Sequence, residues 1–298
     1  MEIVVVGHLS RDLIVTPELS QEALGGGTAY AMLAPAIDAF GAGIISKVGT
    51  DFEDAYRSTL HDSGLNLSGL VTEGPSSTRF VNQYDKFGNR TQYVESLAPP
   101  ILPHDFSDDH LDATIIHFSP LTPHEIDIEC IRLSRSSGAL VSLDVQGFIR
   151  DIDSSKKVIP RIWEERDEVL ELVDVVKLHE SELIDIIDAK SELAAASYIL
   201  SLGPKIVLIT HDHRGSMVYT RNSQAEIPLV MAKKQVDSTG CGDTYVIGFL
   251  LEYIRSADVK RAGLFAAVCS SFNVETLGPY HMPSRSMVEY RMNKYMQA

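Results

Sequence analysis

Residues 236–244 read Val236-Asp237-Ser238-Thr239-Gly240-Cys241-Gly242-Asp243-Thr244, and an apolar helical pattern follows from Tyr245. Two glycines one residue apart let the backbone come close to a ligand. The first N–H groups of the helix have no intrahelical partner. With the helix dipole they form an anion site. Asp243 stands at its mouth, where a carboxylate can take the proton of a hydroxyl attacking a bound phosphoryl group. For an isolated Gly-x-Gly-Asp, a plain helix cap in a glycine loop is the competing reading. No Gly-x4-Gly-Lys-Ser/Thr loop and no protein-kinase catalytic-loop pattern occurs in the chain.

Outward from this loop, short β-branched runs alternate with longer helical patterns. Continuous apolar runs at Ile3–Gly7, Ile44–Val48, Thr114–Phe118, Leu140–Asp144, Val173–Leu178 and Ile206–Thr210 predict strands covered on both faces. Ala29, Met32, Leu33, Ala36, Ile37 and Phe40 recur at helical spacing and predict one buried helix face, stopped by Gly41-Ala42-Gly43. Tyr245–Ile254 and Val259–Val274 predict two more helices. The alternation predicts an α/β fold with a largely parallel sheet. Two stretches depart from it. His8–Thr16 continues the first strand with an alternating pattern. Thr78–Ser96 predicts a pair of half-exposed strands joined by the turn-rich Asp85-Lys86-Phe87-Gly88-Asn89. Both are read as a small β lid, against the alternative of an edge hairpin without a role. With no repeat, low-complexity tract or linker, the chain is expected to be one domain over 1–298, its lid strands within about 8–16 and 76–98.

A chain of 298 residues can bury one large core or two modest ones. The net charge of −15 argues against general affinity for nucleic acid or anionic membrane, since both reward clustered Lys and Arg. Three cysteines without metal-ligand spacing suggest no disulfide framework, and Cys130 and Cys269 fit small core positions. The opening strand has no signal-peptide pattern, and no apolar run reaches membrane-spanning length. A reducing cytoplasm is expected.

Taken whole, Asp237–Asp243 resembles the signature of the ribokinase, or phosphofructokinase-B, family of carbohydrate kinases, Asp-Thr-x-Gly-x-Gly-Asp, with only Ser238 differing. The resemblance covers nearly the whole chain. It implies that Gly240, Cys241 and Gly242 supply anion-hole amides, that Thr239 adjoins the donor phosphates, and that Asp243 is the base and touches the acceptor. Gly7-His8-Leu9-Ser10-Arg11-Asp12 resembles the first strand of the family, which implies that Asp12 hydrogen-bonds acceptor hydroxyls. Leu24-Gly25-Gly26-Gly27-Thr28-Ala29 resembles its substrate loop, which implies that Gly26 and Gly27 meet the acceptor; Tyr30 stands near the place of the usual Asn. Ser46–Asp51 matches a Val-Gly-x-Asp turn and is taken as structural. Leu143–Arg150 occupies the place of Asp-x-Asn-x-x-Arg. Ligands gather at strand C-termini in open α/β sheets, so Gln146 and Arg150 are candidate substrate or phosphate contacts, with a solvated surface arginine as the other reading.

Lys177–Glu182 lies where the family has Asn-x-x-Glu, with His179 in place of Asn. The resemblance implies that Lys177 contacts the donor and that Glu182 holds Mg2+ through water, oxygen ligands suiting a hard cation. Thr210-His211-Asp212-His213-Arg214-Gly215 resembles the nucleotide loop, which places Thr210, Asp212 and Gly215 at the nucleotide, Asp212 replacing a glycine. No further ligand is spaced to make a zinc site of His211 and His213. Asn273 falls in the segment that lines the adenine pocket. Among branches, the chain is most similar to the myo-inositol kinases, through 23–28, 100–103, 145–150, 232–237 and 273–275.

The expectation is a ribokinase-like α/β kinase that uses ATP and Mg2+ to phosphorylate a small polyol or sugar, myo-inositol first. A nucleoside kinase of the same family, using Phe80, Tyr84 or Tyr93 as a base platform, is the alternative. So is a catalytically silent ligand-binding protein. Exposed lid strands suggest a homodimer through the lid.

Overall fold

The computed structural model describes residues 1–87, 90–187 and 189–296; Gly88 and Asn89 of the expected lid turn lie outside the described residues. Fifteen strands are described. In chain order they are β1 (Ile3–Val6), β2 (Ser10–Val15), β3 (Ser20–Gly25), β4 (Ala42–Val48), β5 (Asn66–Thr72), β6 (Arg79–Tyr84), β7 (Arg90–Ser96), β8 (Ile115–Phe118), β9 (Leu140–Asp144), β10 (Arg150–Ile152), β11 (Val158–Pro160), β12 (Val175–His179), β13 (Ile206–His211), β14 (Gly215–Thr220) and β15 (Gln224–Ile227).

The main sheet has nine strands in the order β15-β14-β13-β12-β9-β8-β1-β4-β5. The seven strands from β13 to β5 run parallel, and β14 and β15 close one edge antiparallel. Side chains along a strand alternate between faces. Ile3 and Val5 accordingly enter one buried cluster, and Val4 and Val6 enter the other. Helices Cys241–Ser256 and Val259–Asn273 cover the first face; helices Ile128–Ser137 and Glu192–Leu202 cover the second. Burial on both faces is why these strands are uninterrupted apolar runs. All six expected strands are present, within one or two residues at their ends.

The helix expected over Ala29–Phe40 is shorter than its pattern. Gly27–Met32 forms a 3₁₀ turn and Leu33–Ala36 a single α turn. Pro35 has no N–H to continue the ladder, and Asp38 takes φ 63, which turns the chain away. Phe40, expected on the buried face, is 90% exposed.

The chain leaves the main sheet after Val6. β2 does not extend β1; it joins a separate four-stranded sheet of order β3-β2-β6-β7. β2 pairs antiparallel with β3 and parallel with β6, and β6 and β7 form an antiparallel hairpin. β3 was not anticipated; Ser20, Gln21 and Glu22 are exposed, and its apolar residues are confined to Ala23 and Leu24. The sheet is anchored at its base. Arg11 pairs with Asp51 and Glu53, and Asp51 accepts hydrogen bonds from Ser77. Buried Glu125 accepts the backbone N–H groups of His8 and Leu121. A further hairpin, β10–β11, lies along β7, with Val94 N–H donating to the Lys156 carbonyl at 2.8 Å. Phe80, Val94 and Leu121 form a third small cluster between lid and body, with Ile152 and Val158 of that hairpin packed on it. Cys130 and Cys269 are buried and unpaired. Among the described residues no helix is long and apolar enough to cross a membrane.

Candidate active site

The C-terminal ends of β1, β8, β9, β12 and β13 meet at one edge of the sheet, beneath the lid. The Asp237–Asp243 loop leads into helix Cys241–Ser256 on the first face. Asp237 Oδ1 accepts from the Thr239 N–H at 2.9 Å and its hydroxyl at 2.8 Å, which winds the chain into a turn. Gly240 takes φ 78 and caps helix Cys241–Ser256. The Cys241 N–H turns back to the Ser238 carbonyl at 3.2 Å, so this expected anion-hole amide is engaged within the loop. Burial pushes the Cys241 thiol up to about 11, and Cys241 is no nucleophile.

Lys177, in the middle of β12, faces the start of this helix. A side chain on Gly242 would bring its Cβ within 2.6 Å of Lys177 Nζ. The Lys177 ammonium is buried and donates to Asp144 Oδ2 at 2.9 Å. Burial pulls it down, but Asp144 and Glu182 outweigh that and raise it above its ordinary value. The helix N-terminus and a charged Lys177 therefore offer donors to an anion, with Asp144, Glu182 and Asp243 around the ammonium.

Asp243 stands one residue beyond Gly242. Its Oδ1 accepts from the Ser119 hydroxyl at 3.2 Å. The bare backbone of Gly27 packs against both; a Cβ there would overlap Ser119 Oγ and Asp243 Oδ1. Burial pushes the Asp243 carboxyl up to about 6, Asp144 adds to this, and Lys177 and Ser119 oppose it. Near neutrality the group is an ionised base with unusual proton affinity. Ser119 was missed in the sequence. Its one signal is its place directly after β8, where parallel strands deliver ligand contacts.

On the lid side, Asp12 of β2, Asn82 of β6 and Gln92 of β7 form a ladder across three strands. Gln92 Nε2 donates to Asn82 Oδ1 at 3.0 Å, and Asn82 Nδ2 lies 3.4 Å from Asp12 Oδ2. Asp12 Oδ1 is buried without a partner. Burial pushes Asp12 up to about 6, with Ser10, Arg90 and Asn82 opposing. Across from the ladder, Arg150 donates to Gln146 Oε1 at 2.6 Å. Burial, with neighbouring Arg90 adding to it, lowers the Arg150 guanidinium to about 10. Asn82, Gln92 and Arg90 were not singled out in the sequence; each is an ordinary polar strand residue until the strands pair.

On the other side lie the residues assigned to the donor. Glu182 Oε2 accepts the His179 N–H at 2.6 Å, and burial raises the carboxyl while Lys177 opposes. Thr210 ends β13 beside His179. Asp212, at φ 28, pairs with His179 Nε2 at 3.3 Å, and Gly215, at φ 86, returns the chain into β14. His179, Glu180 and Asp212 bring ligand atoms within 4.8 Å of one another, though Glu180 is already paired with Arg214. His211 pairs with Glu192 at 2.6 Å, so His211 and His213 do not form a metal pair. Asn273 donates to the Thr239 carbonyl at 2.7 Å and to Cys241 Sγ at 3.5 Å; its amide supports the glycine loop.

A family model described as pfkB family carbohydrate kinase matches residues 2–285. A cytidine kinase of Thermococcus kodakarensis is 28% identical over 265 residues, covering 88% of this chain and 91% of its own. An inositol 3-kinase of Arabidopsis thaliana is 24% identical over 287 residues, covering 93% of this chain and 74% of its own. Among solved structures, a pyrophosphate-dependent kinase in the ribokinase family, complexed with a pyrophosphate analog and myo-inositol, superposes with a TM-score of 0.83. It is 26% identical, and the match covers 97% of this chain and 99% of that one.

Proposed function

We propose, from the premise that the chain belongs to the pfkB family of carbohydrate kinases, that it transfers a phosphoryl group from ATP to a hydroxyl of a small polyol or sugar, myo-inositol being the first candidate. Asp243 takes the proton of the attacking hydroxyl. Lys177 and the amides of Gly240 and Gly242 hold the donor phosphates and the charge that develops on them. Arg150 steadies the transferring group. The lid keeps water, a competing acceptor, away from the phosphoryl group. The oxygen donors of Glu182 fit magnesium, which would neutralise phosphate charge, with Glu182 holding it through water.

The observation that carries the acceptor reading is the Asp12–Asn82–Gln92 ladder together with the Gln146–Arg150 pair, Arg90 acting on both Asp12 and Arg150. Amides and carboxylates offer donors and acceptors to adjacent hydroxyls, as a polyol requires. A nucleoside acceptor is the second reading, favoured by the similarity to a cytidine kinase. A base would want an aromatic platform. Phe80 is enclosed with Val94 and Leu121, and Tyr93 alternates to the face opposite Gln92, which leaves Tyr84.

The test is product formation by the purified chain with Mg2+, over myo-inositol, ribose, fructose, adenosine and cytidine, each with ATP and with pyrophosphate. Turnover of myo-inositol with ATP is expected. Flat responses to the polyols with turnover of cytidine would replace the acceptor, and turnover only with pyrophosphate would replace the donor. Binding of ATP and polyol without turnover would leave a silent binding protein.

A further inference from the structure

The glycine loop is gripped from both sides through one carbonyl. Thr239 O accepts from Asn273 Nδ2 at 2.7 Å and from the Tyr30 hydroxyl at 3.2 Å. The Tyr30 ring lies flat against the next residue: a Cβ on Gly240 would collide with Tyr30 Cζ, Cε1 and Cε2. Gly240 holds φ 78, a left-handed conformation that only glycine adopts readily. Tyr30 is therefore both a prop under a left-handed turn and a hydrogen-bond donor to its leading carbonyl.

Tyr30 also belongs to the other half of the site. It sits three residues after Gly27 in the same 3₁₀ turn, and Gly27 packs against Asp243 and Ser119. One short segment thus touches the base through Gly27 and the glycine loop through Tyr30. At 2% exposure the ring is locked, with no room for another rotamer. Burial, with Asp243, Asp237 and Asp12 nearby, raises the phenol well above its ordinary value, so its hydroxyl stays a donor at every working pH.

We propose that Tyr30 is a positioning residue for phosphoryl transfer: acting through Thr239 and Gly240, and opposed by Asn273, it fixes the helix N-terminus relative to Asp243 and the acceptor loop. The proposal rests on the kinase reading above. Geometry of this kind acts on the transition state, where base, acceptor oxygen and phosphoryl group must line up, more than on ground-state binding.

The test is Tyr30→Phe in the full chain, which keeps the ring and removes the hydroxyl. Two readouts are needed: steady-state kinetics, and hydrogen–deuterium exchange of the segment 238–243. The proposal expects faster exchange in that segment and kcat lower by about fivefold, the size of one lost hydrogen bond. KM for the acceptor stays within about twofold and the melting temperature is little changed. Wild-type exchange and wild-type kcat overturn the proposal. A raised KM with unchanged kcat also overturns it, because Tyr30 would then be an acceptor contact. If no acceptor is turned over by the wild type, the kinase reading fails by itself. The exchange readout still decides the clamp: faster exchange upholds it and unchanged exchange removes it.

Discussion

Asp243 is held where its charge is costly, and that cost predicts its pH behaviour. The carboxyl is pushed up to about 6 by burial. In its proposed role of general base it acts ionised, so kcat should rise with pH through about 6 and level off above it. Ser119 donates to Asp243 Oδ1 and favours the ionised form. Ser119→Ala should therefore move the acid limb of the profile to higher pH while lowering the plateau; an unmoved limb would deny the hydrogen bond this role. Asp243→Asn should lower kcat by about 10²–10⁴-fold with ATP binding retained. It carries an opposite prediction for stability. The folded value lies above the unfolded one, so the stabilising contribution is complete below the unfolded value of 3.8 and is lost as pH rises through about 6. Asp243→Asn should then melt higher than wild type at pH 8, by about 2–5 °C, and show no such gain at pH 3.5. The position of Asp243 was legible in the sequence because glycine loop, helix start and carboxylate are contiguous. Ser119 was not, because it lies 124 residues away and only the sheet brings it there.

At the scale of elements, the strands of the main sheet were legible because both faces are buried, so periodicity was not required. The segment after the acceptor loop was legible as apolar but not as to its form. Its spacing suits a full helix, yet Pro35 and the positive φ at Asp38 leave a 3₁₀ turn and one α turn. That short, bent piece delivers Gly27 to Asp243 and Tyr30 to Gly240, which a straight helix of three turns would not do. Gly27 has no left-handed backbone, so its requirement is purely one of space. Gly27→Ala is accordingly expected to push Ser119 and Asp243 apart and lower kcat by at least about tenfold, while changing the melting temperature by only a few degrees. Wild-type turnover in this variant would mean that the contact between acceptor loop and base is dispensable. The lid ladder is the converse case. Asn82 and Gln92 had no periodic or motif signal, and their role exists only once β2, β6 and β7 are in register.

The whole molecule has a cohesive body and a lightly attached lid, and this division predicts where it opens. The two large clusters fill the faces of the main sheet; the lid reaches the first through Leu24 of β3 and the body through Arg11, and otherwise rests on Phe80, Val94 and Leu121 with help from Ile152 and Val158. The β10–β11 hairpin belongs to both parts: it carries Arg150 into the site at one end and bonds to β7 through the Lys156 carbonyl at the other. Lid, hairpin and Arg150 should therefore move together. Phe80→Ala removes the largest side chain of the joint, a change that costs about 3 kcal/mol or more in a packed core. Here the loss falls on docking of the lid, because the main clusters do not share Phe80. The expected outcome is faster amide exchange in β6, β7 and β11 with β1, β8 and β9 still protected. The acceptor KM should rise by about tenfold or more, since Asp12, Asn82 and Gln92 are presented by the lid. If exchange instead speeds up across the main sheet in proportion, lid and body unfold as one unit. Lid opening would then be ruled out as a low-energy motion separate from global unfolding.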